Sequence, residues 1–306
     1  MAQMNDSPPR DEVPASSHRW QALIFLAITF SFSWLVALVT WRAGLLTPAA
    51  PGTFTAAAMF LFMCGPAVGA VICAAAFDKG RARLSLGLRW PFNRWLLAAW
   101  LVPALLVATS LAISLALSSR GFQPPVAALE AAIRAAGEDP AKVGLPLEVL
   151  ATLQIGMSLL LAPIINWPLS LSEELGWRGW LWSRWRPLGF WRCSVMIGLA
   201  WGIWHAPLVV LGHNYPTLPL AGPLLMILWC MLISPVLHLI RDCGGSVWHA
   251  ALFHGTINAL GSLSIMLLAD PSMPWRGIFG IGGGIVLVAS VLGTWLVRND
   301  GTAARL

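Results

Sequence analysis

Charge is what this chain has least of. Only 10% of its 306 residues are Asp, Glu, Lys or Arg, against 58% hydrophobic, whereas soluble domains carry about 25% charged residues. A soluble globular reading is therefore excluded in favour of a membrane protein. Tyrosine occurs once. The five cysteines, Cys64, Cys73, Cys193, Cys230 and Cys243, are odd in number, scattered and never spaced C-x-x-C, which excludes a disulfide framework and a thiolate metal site. Neither H-E-x-x-H nor G-x-S-x-G occurs, and Asp242 and Asp270 fall in predicted loops. Zincin, serine and aspartyl hydrolase chemistries are therefore disfavoured. No internal repeat is visible.

Long hydrophobic runs fill the space. Mean hydropathy is +0.73, and runs approach the roughly 20 residues that span a bilayer. Eight spans are predicted, near 20–41, 54–77, 95–117, 149–171, 194–212, 219–240, 246–268 and 277–297. The expected fold is an all-α polytopic membrane helix bundle. Residues 1–19 read as a disordered cytosolic tail, 20–148 as accessory helices with a short amphipathic surface helix near 125–137, 149–268 as the functional core, and 269–306 as the last span and tail. Prolines 207, 216, 219 and 223 make 194–240 the place where this count is weakest.

The net charge of +6 could suggest nucleic acid in a soluble protein. Here the basic residues gather in particular loops, which points to anionic lipid and topology and to no nucleic-acid partner. With a cytosolic N-terminus, 14 of the 19 basic residues fall inside, including Arg10, Arg89, Arg186, Arg241, Arg298 and Arg305, and both termini are cytoplasmic. Eighteen tryptophans, among them Trp20, Trp41, Trp182, Trp185 and Trp191 near the ends of runs, suit interfacial anchoring.

Against this background three polar clusters stand out. Glu173 and Glu174 precede Arg178. Glu174 and Arg178 are four apart and share a helix face, so they can form an ion pair. Glu173 is turned by about 100 degrees and faces elsewhere, into any cavity present. The alternative is a solvated inner loop at the cytosolic end of the fourth span. The second cluster, Trp201 to His205, places His205 about 16 Å into the bilayer, with Pro207 able to bend the helix beside it. The third, His254 with Asn258 one turn on, lies about 12 Å deep. The amide there could fix the histidine tautomer or donate to an oxyanion; the alternative for both histidine clusters is polar glue between helices. His249 is read as structural, and His213 and His238 as solvated groups near helix ends. Together, Glu173, His205, His254 and Asn258 form a set reachable from the cytosolic half of the membrane that suits hydrolysis of a peptide bond by glutamate-activated water.

The three strings, E-E-x-x-x-R at 173–178, aromatic-x-x-x-H at 201–205 and H-x-x-x-N at 254–258, resemble the CPBP family. It comprises CAAX-processing endopeptidases of the Ras-converting-enzyme type and bacterial bacteriocin-processing or immunity relatives, the Abi proteins. The resemblance covers roughly 149–268. It implies Glu173 as the base activating water, His205 and His254 as the motif histidines, Asn258 as the oxyanion partner, and Glu174 with Arg178 as supporting residues. Trp201 departs from the more frequent phenylalanine while keeping an aromatic plug. Members are commonly named metalloproteases, and zinc held through His205 and His254 is allowed by the residues without being required. A peptide or membrane-protein substrate is implied. The Arg-rich, Ala-rich composition points to a bacterial inner membrane and away from prenylated CAAX substrates. Two other functions fit the same residues: a non-enzymatic binding, immunity or regulatory protein of this fold, and a transporter using the acid and histidines as a proton relay, which the lack of inverted repeats disfavours.

Overall fold

Nearly every segment predicted to be apolar is helical in the computed structural model, which describes residues 15–46, 52–119, 121–135 and 137–299. The chain is all-α; the single bridge among the described residues joins Phe122 to Leu268. The principal helices are α1 (Ala15–Arg42), α2 (Gly52–Met63), α3 (Gly65–Phe77), α4 (Trp95–Leu117), α5 (Leu147–Leu188), α6 (Phe190–Trp204), α7 (Gly222–Gly244), α8 (Val247–Met266) and α9 (Ile281–Asn299). Helix α1 takes in Ala15–Arg19, which the sequence reading assigned to the tail. Residues 1–14, with Arg10, and 300–306, with Arg305, lie outside the described residues, as does Arg120. The surface helix expected near 125–137 runs from Pro125 to Ala135, with Arg134 paired to Glu130 at 2.7 Å one turn away.

Among the described residues, six of the eight expected spans are long and apolar enough to cross a membrane: His18–Arg42, Gly52–Phe77, α4, α5, α7 and α9. The two other predicted spans exist as helix but fail this measure for identifiable reasons. The 194–212 segment stops at Trp204 and restarts at Ala206–Val210, broken beside Pro207, whose ring cannot continue the hydrogen-bond ladder. Helix α8 carries His249, His254, Thr256 and Asn258, which lower its hydropathy. It can do so because it is enclosed by protein rather than lipid: it packs chiefly on the Ala162–Glu174 part of α5, and then on α4. Long apolar side chains such as Leu35, Leu105, Ile164 and Leu292 remain exposed on the outer helices, where hydrocarbon is the expected solvent.

The interior is set by close backbone approach. Helices α6 and α7 pack most closely at Gly198 and Gly202. A Cβ at Gly198 would lie 2.7 Å from both Cys230 O and Met231 Cα, and one at Gly202 would overlap Ile227 Cα. The pair has the small-x-x-x-small spacing that lets membrane helices touch backbone to backbone. Gly255 of α8 does the same against α5, where an added Cβ would stand 2.9 Å from the Asn166 carbonyl carbon.

Candidate active site

The two glutamates are buried in the bundle, Glu173 at 2% exposure and Glu174 at 0%, which excludes the solvated-loop alternative. Helix α5 also does not end beside them. It continues through a π-helical turn, Leu175–Leu181, to Leu188, so about 16 Å of helical path separates Glu173 from Arg184. Such π turns insert an extra residue into the helix and recur at functional sites. The expected ion pair forms: Arg178 Nη1 donates to Glu174 Oε1 at 3.0 Å, with both side chains fully buried. Arg178 Nη2 donates to Ser234 Oγ of α7 at 3.0 Å.

His254 Nδ1 stands 2.8 Å from Glu174 Oε1. The carboxylate accepts, so Nδ1 carries the hydrogen and Nε2 is left as an acceptor. The sequence reading offered Asn258 for this tautomer-fixing role; Glu174 performs it instead. His205 is set the same way, its Nδ1 2.9 Å from the carbonyl oxygen of Trp201 one turn back.

Trp201 ties these groups together. Its indole Nε1 donates to Glu173 Oε2 at 2.8 Å, its carbonyl orients His205, and the Arg178 guanidinium lies 4.3 Å from the centre of its ring. Its ring is also 5.2 Å from that of His254. It is more than an aromatic plug, since phenylalanine has no N–H to offer Glu173.

Glu173, His205, His254 and Asn258 all line one cavity of about 230 Å³; Glu174 and Arg178 lie behind its wall. The division inferred from the helix angle therefore holds: one glutamate faces the cavity and the other is used in pairing. The opposite wall is apolar and comes partly from outside the expected core, with Met59, Phe62 and Met63 on α2. Phe62 packs its ring 4.4 Å from that of Trp204. An apolar residue in an apolar run carries no signal of this role. The cavity extends to His213 and Asn214, in the connection between α6 and α7. Because α6 and α7 pack together while running in opposite directions, that connection lies at the bundle end away from Arg186 and Arg241. The cavity thus reaches from Glu173 towards the end of the bundle away from the arginine-rich loops.

Residues 148–260 match the Rce1-like family of type II CAAX prenyl endopeptidases. All six residues singled out from the sequence lie within this Rce1-like segment. A search of curated proteins returned no match. The match implies an intramembrane protease acting on a peptide substrate, and it covers α5 to α8 without the α2 wall of the cavity.

The other histidines of the chain separate clearly from this site, with one exception. His249 is structural, with Nε2 3.1 Å from Asn93 Oδ1. His238, read from sequence as solvated, is instead buried and bonded to the Ser234 carbonyl at 2.8 Å. His213, also read as solvated, lines the cavity, and burial pushes its imidazole down to about 4. Among the described residues no three His, Cys, Asp or Glu side chains are grouped as a metal site.

Proposed function

We propose that the chain is an intramembrane endopeptidase in which Glu173 activates a water held in the cavity. The observation that carries this reading is the placement of Glu173, buried and hydrogen-bonded by Trp201, in the same cavity as two histidines whose Nε2 atoms have no hydrogen-bond partner among the described residues. A carboxylate oriented by a fixed donor can take the proton of a water attacking a carbonyl carbon. The histidines, each held by its Nδ1–H, orient that water or accept developing positive charge, and His254 shares its proton with Glu174. Asn258, exposed to the cavity, supplies an amide donor to the oxyanion. The scissile segment enters extended, since a helix would hold its carbonyls in backbone bonds, and its apolar flank rests against Met59, Phe62 and Met63.

Glu173→Gln tests this. The exchange preserves shape and the Trp201 contact but removes the base, and general-base loss costs about 10²–10⁴ in rate. The purified variant is expected to keep the wild-type unfolding midpoint and lose cleavage of lipid-modified and plain fluorogenic peptides. Wild-type cleavage by the variant would end the proposal.

A further inference from the structure

A second polar cavity, of about 590 Å³, lies at the other end of the bundle, away from the first. Its lining brings together Arg89, Arg186, Arg241 and Arg298 from four separate parts of the sequence, with Asp242 as the only acidic group among the described lining residues. Four guanidinium groups thus face one carboxylate. That carboxylate pairs with two of them, at 3.7 Å from Arg241 and 4.0 Å from Arg298, and one negative charge cannot balance four positive ones. Aromatic rings hold the arginines in place: Arg241 lies 3.5 Å from the centre of the Trp182 ring and Arg298 lies 3.9 Å from that of Phe190. His238, 1% exposed, forms part of the wall, and its Nε2 has no hydrogen-bond partner among the described residues. Like charges so gathered repel unless an anion joins them, and planar guanidinium groups match phosphate oxygens in geometry.

We propose that this cavity binds a phosphate-bearing anion, the headgroup of an anionic phospholipid or a free phosphate. Basic pockets between membrane helices take such headgroups. The cavity is also wired to the first site. Arg241 Nε donates to the carbonyl oxygen of Arg178 at 3.1 Å, and the His238 imidazole bonds the carbonyl of Ser234, whose hydroxyl receives Arg178. An occupant therefore braces the residues that hold Arg178 against Glu174.

The test titrates detergent-solubilised full-length protein with short-chain phosphatidylglycerol, phosphatidylcholine or sodium phosphate and reads the unfolding midpoint. Arg89 and Arg186 are exposed, so Arg89→Gln with Arg186→Gln leaves the fold intact. Arg134→Gln with Lys142→Gln removes equal charge elsewhere. Phosphatidylglycerol is expected to raise the wild-type midpoint where phosphatidylcholine does not. Half-saturation should weaken about 25-fold in the first double variant, at roughly fivefold per arginine, and stay unchanged in the second. Saturable stabilisation by phosphate alone, lost in the first variant, would assign the free ion as the source. Equal effects of the two lipids without such a phosphate effect, or equal shifts in the two variants, would overturn the proposal.

Discussion

Replacing Arg178 by methionine removes a charge from the most enclosed part of the structure. Methionine keeps much of the side-chain stem, so packing against Trp201 is partly retained. What is lost is the 3.0 Å pair to Glu174, the bond to Ser234 and the guanidinium stacked on the Trp201 ring. The largest effect comes from what remains behind, a fully buried Glu174 with only His254 to offset it among the described residues. Breaking a buried pair from one side costs about 3–5 kcal/mol, because the surviving charge is uncompensated; the stacking itself contributes about 2 kcal/mol or less. The companion Glu174→Gln in the same chain removes that charge and still bonds His254. The double variant is therefore expected to recover most of the loss and to remain within about 2 kcal/mol of wild type. Equilibrium unfolding in mixed micelles, run as a double-mutant cycle, reads all of these differences. A single Arg178→Met variant within about 1 kcal/mol of wild type, well short of the one-sided cost, would refute the reasoning. So would a double variant no more stable than that single one.

Two further substitutions probe other parts of the structure. Trp201→Phe keeps the ring but deletes the donor to Glu173; hydrogen bonds to charged groups contribute about 1.5–3 kcal/mol, so cleavage is expected to fall at least about tenfold. Activity equal to wild type would show that the indole N–H does not position Glu173. Gly202→Leu drives a side chain into Ile227 Cα and is expected to destabilise by about 1–3 kcal/mol or more, seen as a lower unfolding midpoint and lower folded yield; an unchanged midpoint would mean that α6 and α7 do not meet there as described.

How much of the site could be read in advance differs residue by residue. Glu174 and Arg178 were legible as a pair, because four-residue spacing on a helix is a local property and persists even across the π turn. Glu173 was legible as the cavity-facing glutamate for the same reason. His254 was visible as a rare intramembrane imidazole, yet the partner considered for it was Asn258 on its own helix, one of two roles open to that amide, when Glu174 on another helix holds it. Trp201 was judged by ring shape, and its N–H mattered only once Glu173 stood 2.8 Å away. Met59, Phe62 and Met63 were beyond sequence reasoning, since nothing distinguishes an apolar residue that faces lipid from one that faces a cavity.

The sequence by itself determined that the chain is a membrane helix bundle, since hydropathy and span length are properties of each segment alone. It also determined which polar residues could do chemistry there, because so few are present. Only the tertiary structure decided that α8 is sheathed by protein, that Trp201 bonds Glu173 and Glu174 bonds His254, and that four distant arginines share one cavity. Those outcomes depend on which helices meet and how closely. That is fixed by contacts such as Gly202 on Ile227 and Gly255 on Asn166, between residues far apart in the chain, and no periodicity within one helix encodes them.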